Sequence, residues 1–203
     1  ITSLHETGSL RFHPRCYYRP DEHAPTEIWP AIIAAVTDLN GELTGAHRTW
    51  LDPGGFNEAN LGKAPVETPR RAMGNLLGSA VRFGLPGSVM VAGEGVETML
   101  SLRCVLPTMP MAAALSAAHL AAIQFPDTLH RLYVARDDDP AGDAAMTTLM
   151  TRADDAGIET LILSPTLGDF NEDLRLLGLE ALRAAIRIQI APQDVARFME
   201  HAA

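Results

Sequence analysis

From residue 88 onward the chain alternates short apolar runs with segments of helical spacing. "SVMVAG" precedes "EGVETMLSLRCVL", "MAAAL" precedes "SAAHLAAIQF", "RLYVA" precedes "PAGDAAMTTLMTRADDAG", and "IETLIL" precedes "NEDLRLLGLEALRAAIRIQI". Short runs without polar alternation read as strands buried on both faces. A helix between successive strands makes them parallel neighbours rather than hairpin partners. Ser116 stands where the second helix needs an N-cap, Pro140 lies near the first turn of the third, and Gly157 lies just past its end. The expected class is therefore α/β, with a mainly parallel sheet.

In an open parallel sheet, ligands bind outside the carboxyl ends of the strands. Glu94 follows the first strand of this region, Asp137 and Asp139 follow the third, and Asp169 and Asp173 follow the fourth across a short loop. All three groups are thus expected on one edge. In extended chain, residues i and i+2 point the same way, so Asp137 and Asp139 face one point while Asp138 turns elsewhere. Three adjacent carboxylates repel, and a solvated turn needs only one, so a cation is expected among them. Carboxylate oxygens are hard donors that suit Mg2+ or Mn2+. Taken alone, "DDDPAG" is a helix cap and turn; its company with Glu94 and Asp169 favours the metal site. Glu97, one helical turn past Glu94, is either a first-turn acid or part of the site. Asp143 and Glu172 read as helix-surface charges and Asp154-Asp155 as a solvated helix end. Arg136 either holds a carboxylate or offsets the repulsion. His47, His119 and His130 are isolated in sequence and read as core or surface residues.

The first thirty residues, with "LRFHPRCYYRPDEHAP", read as irregular. Two β-rich runs then flank Asn40-Gly41, a strong hairpin signal, and predict strands over 31–38 and 42–50. A loop with Gly54-Gly55 and the sole lysine, Lys63, follows. "PRRAMGNLLGSAVRFG" predicts a short helix and then a strand. The expected division is a smaller α+β subdomain over 1–87 and the α/β domain with its C-terminal helices over 88–203.

A hydrophobic content of 47% with 20% charged residues is that of a globular chain. No run approaches the roughly 18 apolar residues of a membrane span, and no secretory leader is visible. Cys16 and Cys104 lie far apart, outside any metal-ligand spacing, and read as reduced thiols of a cytoplasmic protein. The net charge of −9 argues against indiscriminate nucleic-acid binding. It is uneven, however. Residues 1–87 carry eight Lys+Arg against nine Asp+Glu, a balance of −1, whereas 88–203 carry eight against sixteen, a balance of −8. Arginine suits bidentate phosphate contacts, so Lys63, Arg70 and Arg71 are candidates for nucleotide or nucleic-acid phosphates as well as for ordinary surface charge.

"VAGEGVETML", "YVARDDDPAGDAA" and "GDFNEDL" together resemble the Toprim domain shared by bacterial-type DNA primases, topoisomerases and some nucleases. Over about 88–190 the three motifs occur in the family's order. The matching positions are Glu94 with Gly95, Asp137 and Asp139 with Gly142, and Asp169 with Asn171 and Asp173. The resemblance implies a Rossmann-like sheet with helices on both faces. "LRFHP", "HRTWLD", "GKAPV" and "PRRAMG" resemble the region preceding Toprim in primases of phages and conjugative plasmids. What this implies is a Mg2+-dependent (or Mn2+-dependent) nucleotidyltransferase core that makes short RNA primers on single-stranded DNA from ribonucleoside triphosphates, in plasmid or phage replication or transfer. Glu94, Asp137, Asp139 and Asp169 would hold the metal, with Glu94 alternatively a general acid or base. Glu97, Gly95, Gly142, Asn171 and Asp173 would surround them. Such primases often carry a zinc-binding module or helicase domain, so the resemblance implies further domains of a longer parent chain; no Cys-x-x-Cys occurs here, which fits a fragment that has lost the zinc module or a protein that never had one. The rival readings are a Toprim nuclease using the same acids and a non-catalytic metal-nucleotide docking module.

Overall fold

Two sheets organise the chain, and one apolar core joins them. The computed structural model describes residues 8–136 and 140–199. The first sheet is antiparallel, in the order β1 (Leu10–Tyr18), β2 (Glu27–Thr37), β3 (Leu43–Trp50), β4 (Arg70–Gly74). The second contains β5 (Val81–Phe83), β6 (Val89–Gly93), β7 (Met111–Ala113), β8 (Arg131–Ala135) and β9 (Glu159–Leu163), in the order β5-β7-β6-β8-β9. β6 runs parallel to β7 and β8, β8 parallel to β9, and only β5 is antiparallel. The helices are α1 (Val96–Arg103), α2 (Ala117–Ala122), α3 (Pro140–Asp155), α4 (Phe170–Glu172), α5 (Leu179–Arg187) and α6 (Pro192–Phe198).

The apolar runs of the second sheet are buried on both sides because helices cover both faces. Along β6, Val89 and Val91 enter one core while Met90 and Ala92 enter the other; along β8, Tyr133 and Ala135 separate from Leu132 and Val134 in the same way. Met99 and Leu102 of α1, Leu182 and Ile186 of α5, and Val195 and Phe198 of α6 fill the first core; Leu120 of α2, with Leu149 and Ala153 of α3, fill the second. Each of the larger side chains among these contributes about 1.5–3 kcal/mol on burial. Ser116 caps α2, its hydroxyl accepting from the His119 amide at 3.2 Å, and Gly157 ends the α3 segment at φ 72°. This is the mixed α/β architecture with a mainly parallel sheet that the alternation predicts.

Leu10, Ala34 and Val36 of the first sheet belong to the first core. The predicted hairpin is β2–β3, with Asp38 accepting the amides of Asn40 and Glu42 and Gly41 at φ 82°. The N-terminal stretch is not irregular: β1 pairs with β2 along its length, with a register shift between His13 and Cys16. Pro14 lies in that bulge on an edge strand, where a missing N–H costs no ladder bond. Residues 70–74 are a strand, not a helix. β3 supplies the partner, and Gly45 sits opposite Gly74, where a Cβ on Gly74 would fall 2.4 Å from the Thr44 carbonyl. Pairing with a waiting edge overrides local preference here. The C-terminal run is helical but interrupted. α4 passes into a π-helical turn over Asp173–Leu177, and Gly178, at φ 88°, breaks the axis before α5.

A buried polar cluster ties α6 to the sheet. The Tyr133 hydroxyl donates to Asp194 Oδ2 at 2.7 Å and accepts from the Ala191 amide at 2.9 Å; Arg131 donates to the same carboxylate at 2.9 Å and reaches Glu159 at 2.7 Å. Among the described residues, no helix is long and apolar enough to cross a membrane.

Candidate active-site cleft

The parallel sheet brings the carboxyl ends of β6, β8 and β9 to one edge, which is where the sequence places its acids. The close approach of β6 and β8 explains the glycine that ends β6. A Cβ on Gly93 would lie 2.7 Å from the Met99 methyl, 3.1 Å from Ala135 Cβ and 3.3 Å from the Ala135 carbonyl. Glu94 follows directly. Its backbone carbonyl accepts from the Leu115 amide at 2.8 Å, and Leu115 itself has φ 77°. A non-glycine residue held in this region stores local strain, a feature that clusters at functional sites.

A cleft of about 360 Å³ opens between this edge and the first sheet, lined by Glu94, Gly95 and Glu97 on one side and by His47 and Arg70 on the other. Arg70 pairs with Glu97 at 3.4 Å, half in solvent. Glu97 is thus part of the cleft. Burial pushes the His47 imidazole below its ordinary value; the charge of Glu97 opposes this and that of Arg70 adds to it. In the unfolded chain His47 titrates near 6.5. The fold resists its protonation, so stability is complete above that pH and is lost as pH falls below it. The drop in melting temperature between about pH 7 and pH 5 should be smaller in His47→Gln than in the parent; equal drops would mean that His47 titrates freely.

The third acidic motif is already engaged in structure. Asp169 is the N-cap of α4, its Oδ1 accepting from the Glu172 amide at 2.6 Å, while Glu172 accepts from the Gly168 amide at 3.0 Å rather than facing solvent freely. Asp173 is buried and accepts from the amides of Thr166 and Leu167, both at 2.8 Å, which fixes the loop leaving β9. Asn171 is half-buried between them. Asp137, Asp138 and Asp139 lie outside the described residues. On either side of them, Arg136 Nε donates to Asp143 Oδ1 at 2.8 Å, so Arg136 holds a carboxylate, and Asp143 is more than a surface charge. Gly142 is buried in the first turn of α3.

The structure therefore unites Glu94, Gly95, Glu97 and Arg70 in one cleft. Arg71 borders it, but its guanidinium is turned to the carbonyls of Arg19 and Pro20, at 2.7 and 2.8 Å, and to the Thr68 hydroxyl. Lys63 lies in the β3–β4 loop, away from the cleft. That loop docks on the π-helical turn through Glu58, 2.6 Å from Arg175. The acids brought to this edge supply hard oxygen donors, which fit a divalent ion of the Mg2+ kind. Among the described residues no three His, Cys, Asp or Glu converge on one point. Sequence reasoning missed His47. Its pairing with buried Ala34 across the β2–β3 ladder would have turned it toward the core side.

Residues 1–83 match the model of a domain of unknown function, DUF7146, and residues 89–180 match that of the Toprim domain. No curated protein matches the chain. Among solved structures, it is similar to a DNA primase domain from Pseudomonas aeruginosa at 15% identity, covering 85% of this chain and 56% of that one, with a TM-score of 0.53. It is similar to a DnaG catalytic core at 14% identity, covering 95% and 66%, with a TM-score of 0.52. It is also similar to a DnaG primase catalytic domain bound to single-stranded DNA at 16% identity, covering 82% and 59%, with a TM-score of 0.52. These likenesses show a shared fold, and the chain spans 56–66% of these three structures.

Proposed function

Because residues 89–180 are a Toprim domain, we propose that this chain is the core of a primase-type nucleotidyltransferase that joins ribonucleotides on single-stranded DNA. The observation that carries the proposal is the cleft in which Glu94, at the acidic edge, meets Arg70 across from it. In this reading, residues 1–87 form a nucleotide-handling subdomain and 88–203 the catalytic domain. The motifs shared with phage and plasmid primases favour a setting in plasmid or phage DNA replication or transfer, in the cytoplasm and within a longer parent chain.

Toprim domains bind divalent metal ions such as Mg2+. Glu94, Asp137, Asp139 and Asp169 would hold it here. When bound, the metal supplies neutralising charge at the phosphates and a more acidic attacking hydroxyl. Arg70, half-exposed and loosely paired with Glu97, is free to turn toward the triphosphate of an incoming nucleotide. The attacking 3′-hydroxyl forms a bond to the α-phosphorus as the bond to pyrophosphate breaks. Its proton passes to a general base, the role Glu94 would take if it does not hold the metal. His47, kept neutral by burial, adds no positive charge that would compete with the metal.

The test is incubation with single-stranded DNA, labelled ribonucleotides and Mg2+ or Mn2+. Labelled primers support the proposal; cleaved DNA alone would make the chain a nuclease, and neither product would make it a docking module. Metal binding has its own readout. Carboxylates gathered at one edge repel, so Mg2+ should raise the melting temperature by several degrees at concentrations well above its Kd, and Asp137→Asn with Asp139→Asn should abolish that rise. An equal rise in the double variant would place the ion elsewhere.

A further inference from the structure

The first sheet has a second recess, on the face turned away from the acidic edge. Arg11 lies opposite Ile33, Ile33 opposite Arg48, and Arg48 opposite Arg71. Directly opposed residues share a face of the sheet, so three arginines stand in one row. Leu10, Ala34 and Val36 occupy the other face, which joins the core shared with the second sheet. Like charges placed opposite each other destabilise a strand pair. Arg71 is relieved by the carbonyls of Arg19 and Pro20. Arg48 is not: it forms no hydrogen bond or ion pair among the described residues, its Nε is buried without a partner, and its guanidinium lies over the Trp50 ring, 4.9 Å from the centroid. The buried indole N–H of Trp50 also lacks an acceptor. The recess measures about 540 Å³, and its walls include Tyr18, Trp50, Arg19, Arg48 and Thr26. Among the described residues no carboxylate lines it. Guanidinium groups beside aromatic rings, with no acid to neutralise them, match a ligand that is both anionic and planar.

We propose that this recess binds one nucleotide unit, with its phosphate on Arg48 and Arg19 and its base against the guanidinium and aromatic wall. The unit is either a free nucleotide or one residue of a single strand. Arg71, on the edge strand β4, borders both this recess and the Glu94 cleft, but Arg48, Arg19 and Trp50 line this one alone, so the proposal does not depend on the catalytic reading. The full chain, in EDTA and with Glu94→Gln to silence the acidic edge, is titrated with AMP, with a short single-stranded oligothymidylate and with inorganic phosphate, followed by tryptophan emission. AMP or the oligonucleotide should quench the emission. Arg48→Gln should weaken binding about tenfold, the loss expected for one charge-assisted contact. Arg48→Lys, which keeps the charge but loses the planar fork, should weaken it nearly as much and carries the test if Arg48→Gln fails to fold. Binding of AMP marks the free nucleotide as the source; binding of the oligonucleotide alone marks a strand. The proposal is overturned if neither quenches, if folded Arg48 variants bind as tightly as the parent, or if inorganic phosphate competes as well as AMP.

Discussion

Glu94→Gln should leave the protein folded and lower nucleotidyl transfer by about 10²–10⁴-fold, the range for removing a positioned acid–base group. The side chain projects from the end of β6 and belongs to neither apolar core. Its place is set by the backbone, through the bond from the Leu115 amide to its carbonyl, and Gln keeps both the shape and that bond. Asp137→Asn and Asp139→Asn should behave alike, since the two are expected to face one point while Asp138 between them faces away. Activity and melting temperature must be measured on the same preparations. Full activity in Glu94→Gln would remove Glu94 from the chemistry. Full activity in the aspartate variants would leave "RDDDPAG" as a helix cap and turn.

The largest effect on stability is expected far from that edge. Asp194→Ala should cost about 3–5 kcal/mol, the range for removing one partner of a buried, charge-bearing cluster. Asp194 is 2% exposed and receives both the Tyr133 hydroxyl and an Arg131 guanidinium N–H. Without it, a buried phenol loses its acceptor, and a guanidinium is left with Glu159 alone at the surface. A chain of this size should lose about 2–4 °C in Tm per kcal/mol, so a drop of about 6–20 °C is expected. A drop near 2 °C would show the cluster to be solvated. The same cluster has an alkaline signature. Burial, followed by the hydrogen bond to Asp194, raises the Tyr133 phenol from 10.0 to about 12. The folded state holds this proton more tightly than the unfolded state. Its contribution is therefore complete below pH 10 and fades as pH rises toward 12. Tyr133→Phe should remove that fading.

Much of the second sheet is legible in the chain because its strands are buried on both faces and bounded by strong stop signals. Val89–Gly93, and Leu132–Ala135 after the charged Arg131, carry no charged interruption, and Ser116 and Gly157 mark helix ends through local chemistry alone. The first sheet is harder to read. Pro14, beside His13 and Arg15, suggests loop, and only the bulge against β2 makes room for it. Arg70–Gly74 has no intrinsic strand pattern; it exists because β3 offers an edge and because Gly45 and Gly74 let the backbones close. The site divides along the same line. Glu94 is legible because it follows its strand without a gap. Asp169 and Asp173 have the right order but also the capping and loop-fixing bonds that a short acidic motif makes for itself. His47 depends on which face of one sheet meets the edge of another, and that is decided only by packing.

The shared core also bears on how the protein is made. β1 to β4 are complete once residue 74 has emerged, yet the apolar face formed by Leu10, Ala34 and Val36 finds its cover in a cluster whose other members run as far as Met199. β5 reaches the sheet soon after residue 74, but at about 5–20 residues per second the ribosome needs on the order of ten seconds to complete that cluster. During this interval the nascent sheet shows a greasy face and an unpaired β1 edge together, the combination that recruits chaperones or neighbouring nascent chains. Polysomes would crowd such faces together, so slow synthesis over the second half should harm yield more than slow synthesis over the first.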